Sequence, residues 1–372
     1  MFRPTKFLAL LLNLLPVSVG AAGSIAEPAD PFPDTPQNRE IYESSFQDYK
    51  RLTRAHGHYA DVNGIRMHYL EWGGKGGIPL VWSHGYGSTG YELIEVGPKL
   101  ADMGYHVFAI TYRGHGQTQV TNYDFSLAHI ADDIAAFLDQ KSMPCAVIGG
   151  LSLGGAVATT FYENYPQRVM ALVLEDGGAD VIQHRIEKAF TRIKDTTEKE
   201  PGPDKQFSDR FLAFRRAVIP LLPMWQGRLP LAIAPAFHSF VIADGEQHWR
   251  FHVEDARLLG EGGASDDPSR SHELPLLAQS WRRVHPIVTY RNLSMPMLII
   301  DPTGDDGGPY GSFTPSFEEL RALHPDLIRL VEYPAAPHPA HAVRPDWFLR
   351  DMKELMDRVH KSQSNRCLAP LN

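Results

Sequence analysis

Short apolar runs, separated by stretches with helical spacing, restrict this chain to one broad architecture. They cover residues 79–83, 106–110, 145–148, 171–174, 297–300 and 327–331. Between them lie amphipathic patterns such as Ile130, Ile134, Phe137 and Leu138. Strands alternating with helices predict an α/β fold with a mostly parallel central sheet flanked by helices on both faces. In such a sheet the chemistry gathers on the loops that follow the carboxyl ends of the strands. A hairpin precedes the set, with Asn63-Gly64 as its turn between residues 59–62 and 65–70.

The alternation breaks once. From about Asp180 to Leu293 no strand pattern appears, and the segment carries apolar and aromatic clusters that include Phe211, Phe214, Leu221, Trp225 and Phe237. A Gly- and Ser-rich stretch at 260–271 reads as a loop. We read 181–290 as an inserted, mainly helical cap over the strand ends, with an ordinary surface insertion as the alternative. The core then falls into two parts, 56–180 and 291–361, with a tail at 362–372.

The N-terminus has the pattern of a secretory signal peptide. Arg3 and Lys6 precede the apolar residues 7–15, and small residues follow to Ala22. The apolar part is too short to span a bilayer. Cleavage after Ala22 or Ala26 is expected, giving an exported protein (periplasmic or extracellular) with no stable membrane span. Residues 23–55 read as an N-terminal extension, extended at least from Glu27 to Pro36. A net charge of −8 leaves no basic footprint for nucleic acid. The two cysteines, Cys145 and Cys367, allow one disulfide at most. Cys145 lies in an apolar run and is expected as a free, buried small hydrophobe.

The strongest chemical signal is Gly150-Leu151-Ser152-Leu153-Gly154, between a buried run and a helical pattern. A serine exposed on a tight strand-to-helix turn needs neighbours without side chains, and glycines two places either side supply them. Ser152 is therefore the candidate nucleophile. The N–H of Leu153, at the helix start, is one natural donor to an oxyanion. The second is assigned to the N–H of Tyr86, in the glycine-containing loop His84-Gly85-Tyr86-Gly87. His84 is expected to brace that loop by hydrogen bonding.

These motifs, with Tyr112-Arg113-Gly114-His115-Gly116 and Pro334-Ala335-Ala336-Pro337-His338, resemble the α/β-hydrolase superfamily. The likeness is to its capped, serine-nucleophile branch of esterase-, haloperoxidase- and C–C-hydrolase-like enzymes, and covers about residues 58–360 outside the cap. Epoxide hydrolases and haloalkane dehalogenases of similar shape carry aspartate at the elbow, and Ser152 argues against both. The resemblance implies the order serine, acid, histidine. His338 follows the last strand and precedes Pro345 by seven positions, as the family has it, although Pro337 stands where glycine is usual. His341 is the alternative base. For the acid, Asp305 falls at the family's usual place after a strand, with Asp306 beside it. Asp176 is a further alternative, because some members place the acid there. The carboxylates near 305 do not follow a known calcium loop; no metal or cofactor is expected.

The implied activity is cleavage of a carboxylic ester or lactone of an apolar small molecule through a Ser-His-Asp triad and an acyl-enzyme. The same triad acting on an amide, on a C–C bond or as a cofactor-free perhydrolase is the alternative. A non-catalytic ligand-binding protein of the same fold is the third reading.

Overall fold

The computed structural model describes residues 33–118, 120, 124–179, 276–303 and 313–362, together with Asp209, Phe211, Leu212 and Arg215. The expected signal peptide, most of the expected cap and the C-terminal tail lie outside the described residues.

The chain enters through a helix. Thr35 caps it, its hydroxyl accepting from the Asn38 N–H at 3.2 Å, and Pro36 starts helix α1 (Pro36–His56) with its φ already suited to a first turn. Tyr42, Phe46 and Tyr49 recur at helical spacing and are buried. Each such side chain contributes about 1.5–3 kcal/mol of burial. From Pro36 onward the residues expected as an extension are therefore a helix seated on the core.

Strands β1 (Gly57–Val62) and β2 (Ile65–Trp72) form the hairpin, with Val62 opposite Ile65. Asn63 at φ 45° and Gly64 at φ 78° make the left-handed two-residue turn that matches strand twist. There follow β3 (Ile78–Ser83), α2 (Gly97–Asp102), β4 (Tyr105–Thr111), α3 (Leu127–Gln140), β5 (Ala146–Leu151), α4 (Leu153–Asn164) and β6 (Val169–Glu175). From residue 276 onward come α5 (Leu276–Trp281), α6 (Pro286–Thr289), β7 (Met297–Pro302), α7 (Thr314–Leu323), β8 (Ile328–Tyr333), α8 (Ala340–Val343) and α9 (Pro345–Ser362).

The eight strands form one sheet in the order β1-β2-β4-β3-β5-β6-β7-β8, antiparallel through β2–β4 and parallel from there on. The interior strands β4, β5 and β6 are buried at every position, whereas the edge strand β1 alternates. This is the pattern of a sheet covered on both faces. Leu80, Trp82, Val107, Val147, Val173 and Leu298 point to one face, packed with α1 and α9. Val81, Phe108, Ile148, Leu172, Leu174 and Ile299 point to the other, packed with α3, α4 and α7.

Two expectations shift here. The last part of the expected insertion belongs to the core packing: Leu277 and Ala278 of α5 are buried, and the Ser280 hydroxyl accepts from the Leu127 N–H at 3.0 Å. Cys145, expected as a free thiol, is disulfide-bonded. The chain's one other cysteine, Cys367, lies outside the described residues.

Candidate active site

The turn from β5 to α4 holds Ser152 at φ 55°, ψ −115°, a left-handed conformation costly for a residue with a side chain. Close packing imposes it. A Cβ on Gly154 would stand 1.9 Å from the Ser83 carbonyl oxygen, and one on Gly177 would stand 2.3 Å from the Ser152 oxygen. The end of β3 and the loop after β6 are thereby pressed against the serine. The Ser152 N–H donates to the Glu175 carbonyl at 2.8 Å, which fixes the elbow to the end of β6. Leu153 opens α4, so its N–H belongs to the first turn, where no intrahelical acceptor exists.

The loop after β3 lies alongside. Gly154 also approaches the His84 carbonyl, and Gly85 faces the Leu151 side chain. Tyr86, the expected second donor, follows directly and is half-buried. His84 has the bracing role expected of it. It is buried, its Nδ1 donates to the Gly85 carbonyl at 2.7 Å, and its ring stacks on Tyr112 at 3.9 Å. Burial pushes its pKa well below the ordinary value, which keeps the imidazole neutral. The Tyr112-Arg113-Gly114-His115-Gly116 motif serves the scaffold. Arg113 clasps Asp133 of α3 with two 2.6 Å bonds, and Asn63 of the hairpin turn donates to the same carboxylate at 3.0 Å.

The candidate base, His338, and one candidate acid, Asp176, come from the loops after β8 and β6. His338 Nδ1 lies 2.5 Å from Asp176 Oδ2. Since a carboxylate accepts, Nδ1 carries the proton, which leaves Nε2 as the basic nitrogen. The His338 side chain is a quarter exposed and that of Asp176 only 7% exposed. Asp176 is itself held at φ 45°, with its N–H donating to the Ile300 carbonyl at 3.0 Å. Ser152 Oγ has no hydrogen-bond partner among the described residues; catalytic contacts in unliganded sites are often long and tighten around substrate.

Asp176, a lesser alternative by sequence, is the carboxylate on His338. Asp305 and Asp306, placed ahead of it, lie outside the described residues. Asp301, at the end of β7, is engaged instead by the Thr314 hydroxyl, which donates to it at 2.6 Å. Burial, with Asp176 nearby, raises the Asp301 pKa. His341, the alternative base, is fully buried. Its Nδ1 sits 2.8 Å from Glu175 Oε2 and its Nε2 3.2 Å from the Glu92 carbonyl. Both ring nitrogens are occupied, so it is not free to serve a substrate. Glu92 and Glu175, fully or almost fully buried carboxylates behind the serine, were not read from the sequence. The adjacent pair Glu175-Asp176 ending an apolar run was the available signal.

Residues 78–228 match the alpha/beta hydrolase fold family. The eight-stranded sheet, the elbow and this match decide the assignment. The chain has the α/β-hydrolase fold. It is 34% identical over 167 residues to the dihydrolipoyllysine-residue acetyltransferase component of the acetoin cleaving system of Cupriavidus necator, matching 44% of each chain. It is 23% identical to the non-heme chloroperoxidase of Streptomyces lividans over 76% of this chain and 93% of that one. The solved structure of E-2-(acetamidomethylene)succinate hydrolase superposes with a TM-score of 0.62 at 19% identity, covering 81% of this chain and 98% of that one.

Proposed function

We propose that this α/β-hydrolase is an exported serine hydrolase that cleaves a carboxylic ester or lactone of an apolar substrate. The observation that carries the reading is the His338–Asp176 pair, with the tautomer a general base needs, beside a serine held in a left-handed elbow. His338 Nε2 takes the Ser152 proton as Oγ attacks the carbonyl carbon, and Asp176 stabilises the imidazolium that forms. The N–H groups of Tyr86 and Leu153 receive the oxyanion. The imidazolium returns its proton to the leaving alkoxide, and the acyl group stays on Ser152. Water then gives its proton to Nε2, attacks the acyl carbon, and the acid departs as Oγ is reprotonated. The serine also sets this chain apart from the epoxide hydrolases among its relatives, because the resemblance assigns those an aspartate at this position.

Turnover of p-nitrophenyl acetate, butyrate and octanoate, with a lactone and an anilide for comparison, tests the activity. kcat/KM is expected to rise from acetate to the longer acyl chains, since apolar walls gain about 25 cal/mol per Å² of substrate covered. Best turnover of the anilide would replace the ester reading, and best turnover of the acetate would remove the apolar preference.

Export is supported by the basic-apolar-small pattern of residues 1–22, and by the disulfide at Cys145, since such bonds persist in oxidising compartments. Among the described residues no helix is long and apolar enough to cross a membrane. Protein secreted by an exporting host is expected to begin near Gly23 or Glu27; an intact Met1 terminus in the membrane fraction would contradict export.

A further inference from the structure

Behind the serine lies a chain of buried polar groups that the reaction itself does not use. His341 follows the base by three residues. Its backbone N–H donates to Glu175 Oε1 at 2.8 Å, and its Nδ1 lies 2.8 Å from Glu175 Oε2. Its Nε2 lies 3.2 Å from the Glu92 carbonyl oxygen, which can only accept. With an acceptor at each ring nitrogen, His341 is an imidazolium and Glu175 its carboxylate. Neither side chain has exposed surface. Glu92 continues the chain, its Oε1 accepting from Trp82 Nε1 at 2.7 Å and its Oε2 from the Gly85 N–H at 3.2 Å.

These bonds join three loops that follow three different strands, β3, β6 and β8. Glu92 holds the loop that presents Tyr86. Glu175 precedes the acid Asp176, and its carbonyl holds the Ser152 N–H. His341 belongs to the segment that carries His338. A hydrophobic filling of the same volume would cost less desolvation, since a buried ion pair seldom adds net stability.

We infer that the Glu175–His341–Glu92 chain is a clamp that positions the oxyanion loop, the acid and the base relative to Ser152, with His341 and Glu175 as its positioning residues. The inference rests on the serine-hydrolase reading. Glu175 on β6 and Glu92 after β3 are the charged groups facing His341, and the rings of Trp82 and Phe348 lie against it. Burial alone would lower the His341 pKa, but Glu175 and Glu92 together raise it to about 9. Glu92, raised by burial to about 7, titrates below that range. Because the folded-state pKa of His341 lies above the ordinary value of 6.5, the pair's contribution is complete below about pH 6.5 and is lost as pH rises through about 9.

The test is the rate at which a fluorophosphonate labels Ser152 in the full-length protein, followed by mass between pH 6 and 10. The clamp predicts a wild-type rate that falls above about pH 9. His341→Gln and Glu175→Gln should each be at least 10-fold slower at pH 7.5, and His341→Gln should lack the alkaline fall. Slow labelling in His341→Gln beside none in His338→Ala separates a positioning residue from a base. A folded His341→Gln labelled within twofold of wild type overturns the clamp, and so does one that is not labelled at all. If neither variant folds, the wild-type profile decides, and a rate that does not fall through pH 10 overturns it. Failure of the wild type to be labelled sinks the serine-hydrolase reading itself, and the clamp with it.

Discussion

Ser152→Ala is expected to lower ester hydrolysis by a factor on the order of 10⁴ or more, with the fold unchanged. The substitution removes Oγ, which no hydrogen bond to a described residue ties into the scaffold, and leaves the backbone bonds that shape the elbow. The Ser152 N–H still donates to the Glu175 carbonyl, and Gly155 and Ala156 still donate to the residue 152 carbonyl. Alanine also keeps a Cβ at a position whose left-handed φ the wild type already tolerates. Residual turnover comes from the oxyanion donors and substrate binding alone. Steady-state kinetics on p-nitrophenyl butyrate, with a thermal melt to establish folding, measures the loss. A folded, active variant would remove Ser152 from the mechanism.

Asp176→Asn is the second large effect, expected to reduce kcat by about 10⁴-fold, as loss of the acid does in triads of this kind. Asparagine matches the shape of Asp176 but has no charge to stabilise the imidazolium. Its amide can also donate to Nδ1, which would move the ring proton to Nε2 and abolish the base. Asp305→Asn, measured in parallel, is expected to cost under about tenfold, far less than loss of a triad acid. The comparison separates the two places where the superfamily resemblance allowed the acid. Equal losses would return Asp305 to the site; a loss confined to Asp305→Asn would contradict the pairing seen at His338.

Much of this was legible in the residues. The apolar runs marked the buried strands because interior parallel strands must be apolar on both faces, and Asn63-Gly64 marked its turn because few other pairs tolerate two left-handed residues. Gly150 to Gly154 marked the elbow for a similar reason, since the packing leaves no room for a side chain at Gly154. The acid was harder. Position after a strand is all that sequence offers, and both β6 and β7 end in carboxylates. Only the loop geometry around Ile300 and Gly177 brings Asp176, and not Asp301, onto His338. Helix α1 was missed because its Thr35-Pro36 start and the Tyr42, Phe46, Tyr49 spacing sit in a largely polar stretch. The clamp was missed because a buried ion pair has no sequence pattern: Glu92, Glu175 and His341 are far apart in the chain.

The most direct measurement of the central claim is the site of covalent capture. Intact protein treated with a fluorophosphonate, digested and mapped by mass, is predicted to carry one phosphonyl group on Ser152. The adduct should be absent from Ser152→Ala and His338→Ala, and its formation strongly slowed in Asp176→Asn. An adduct on another serine, or capture that proceeds at the wild-type rate without His338 or Asp176, would contradict the Ser152–His338–Asp176 assignment.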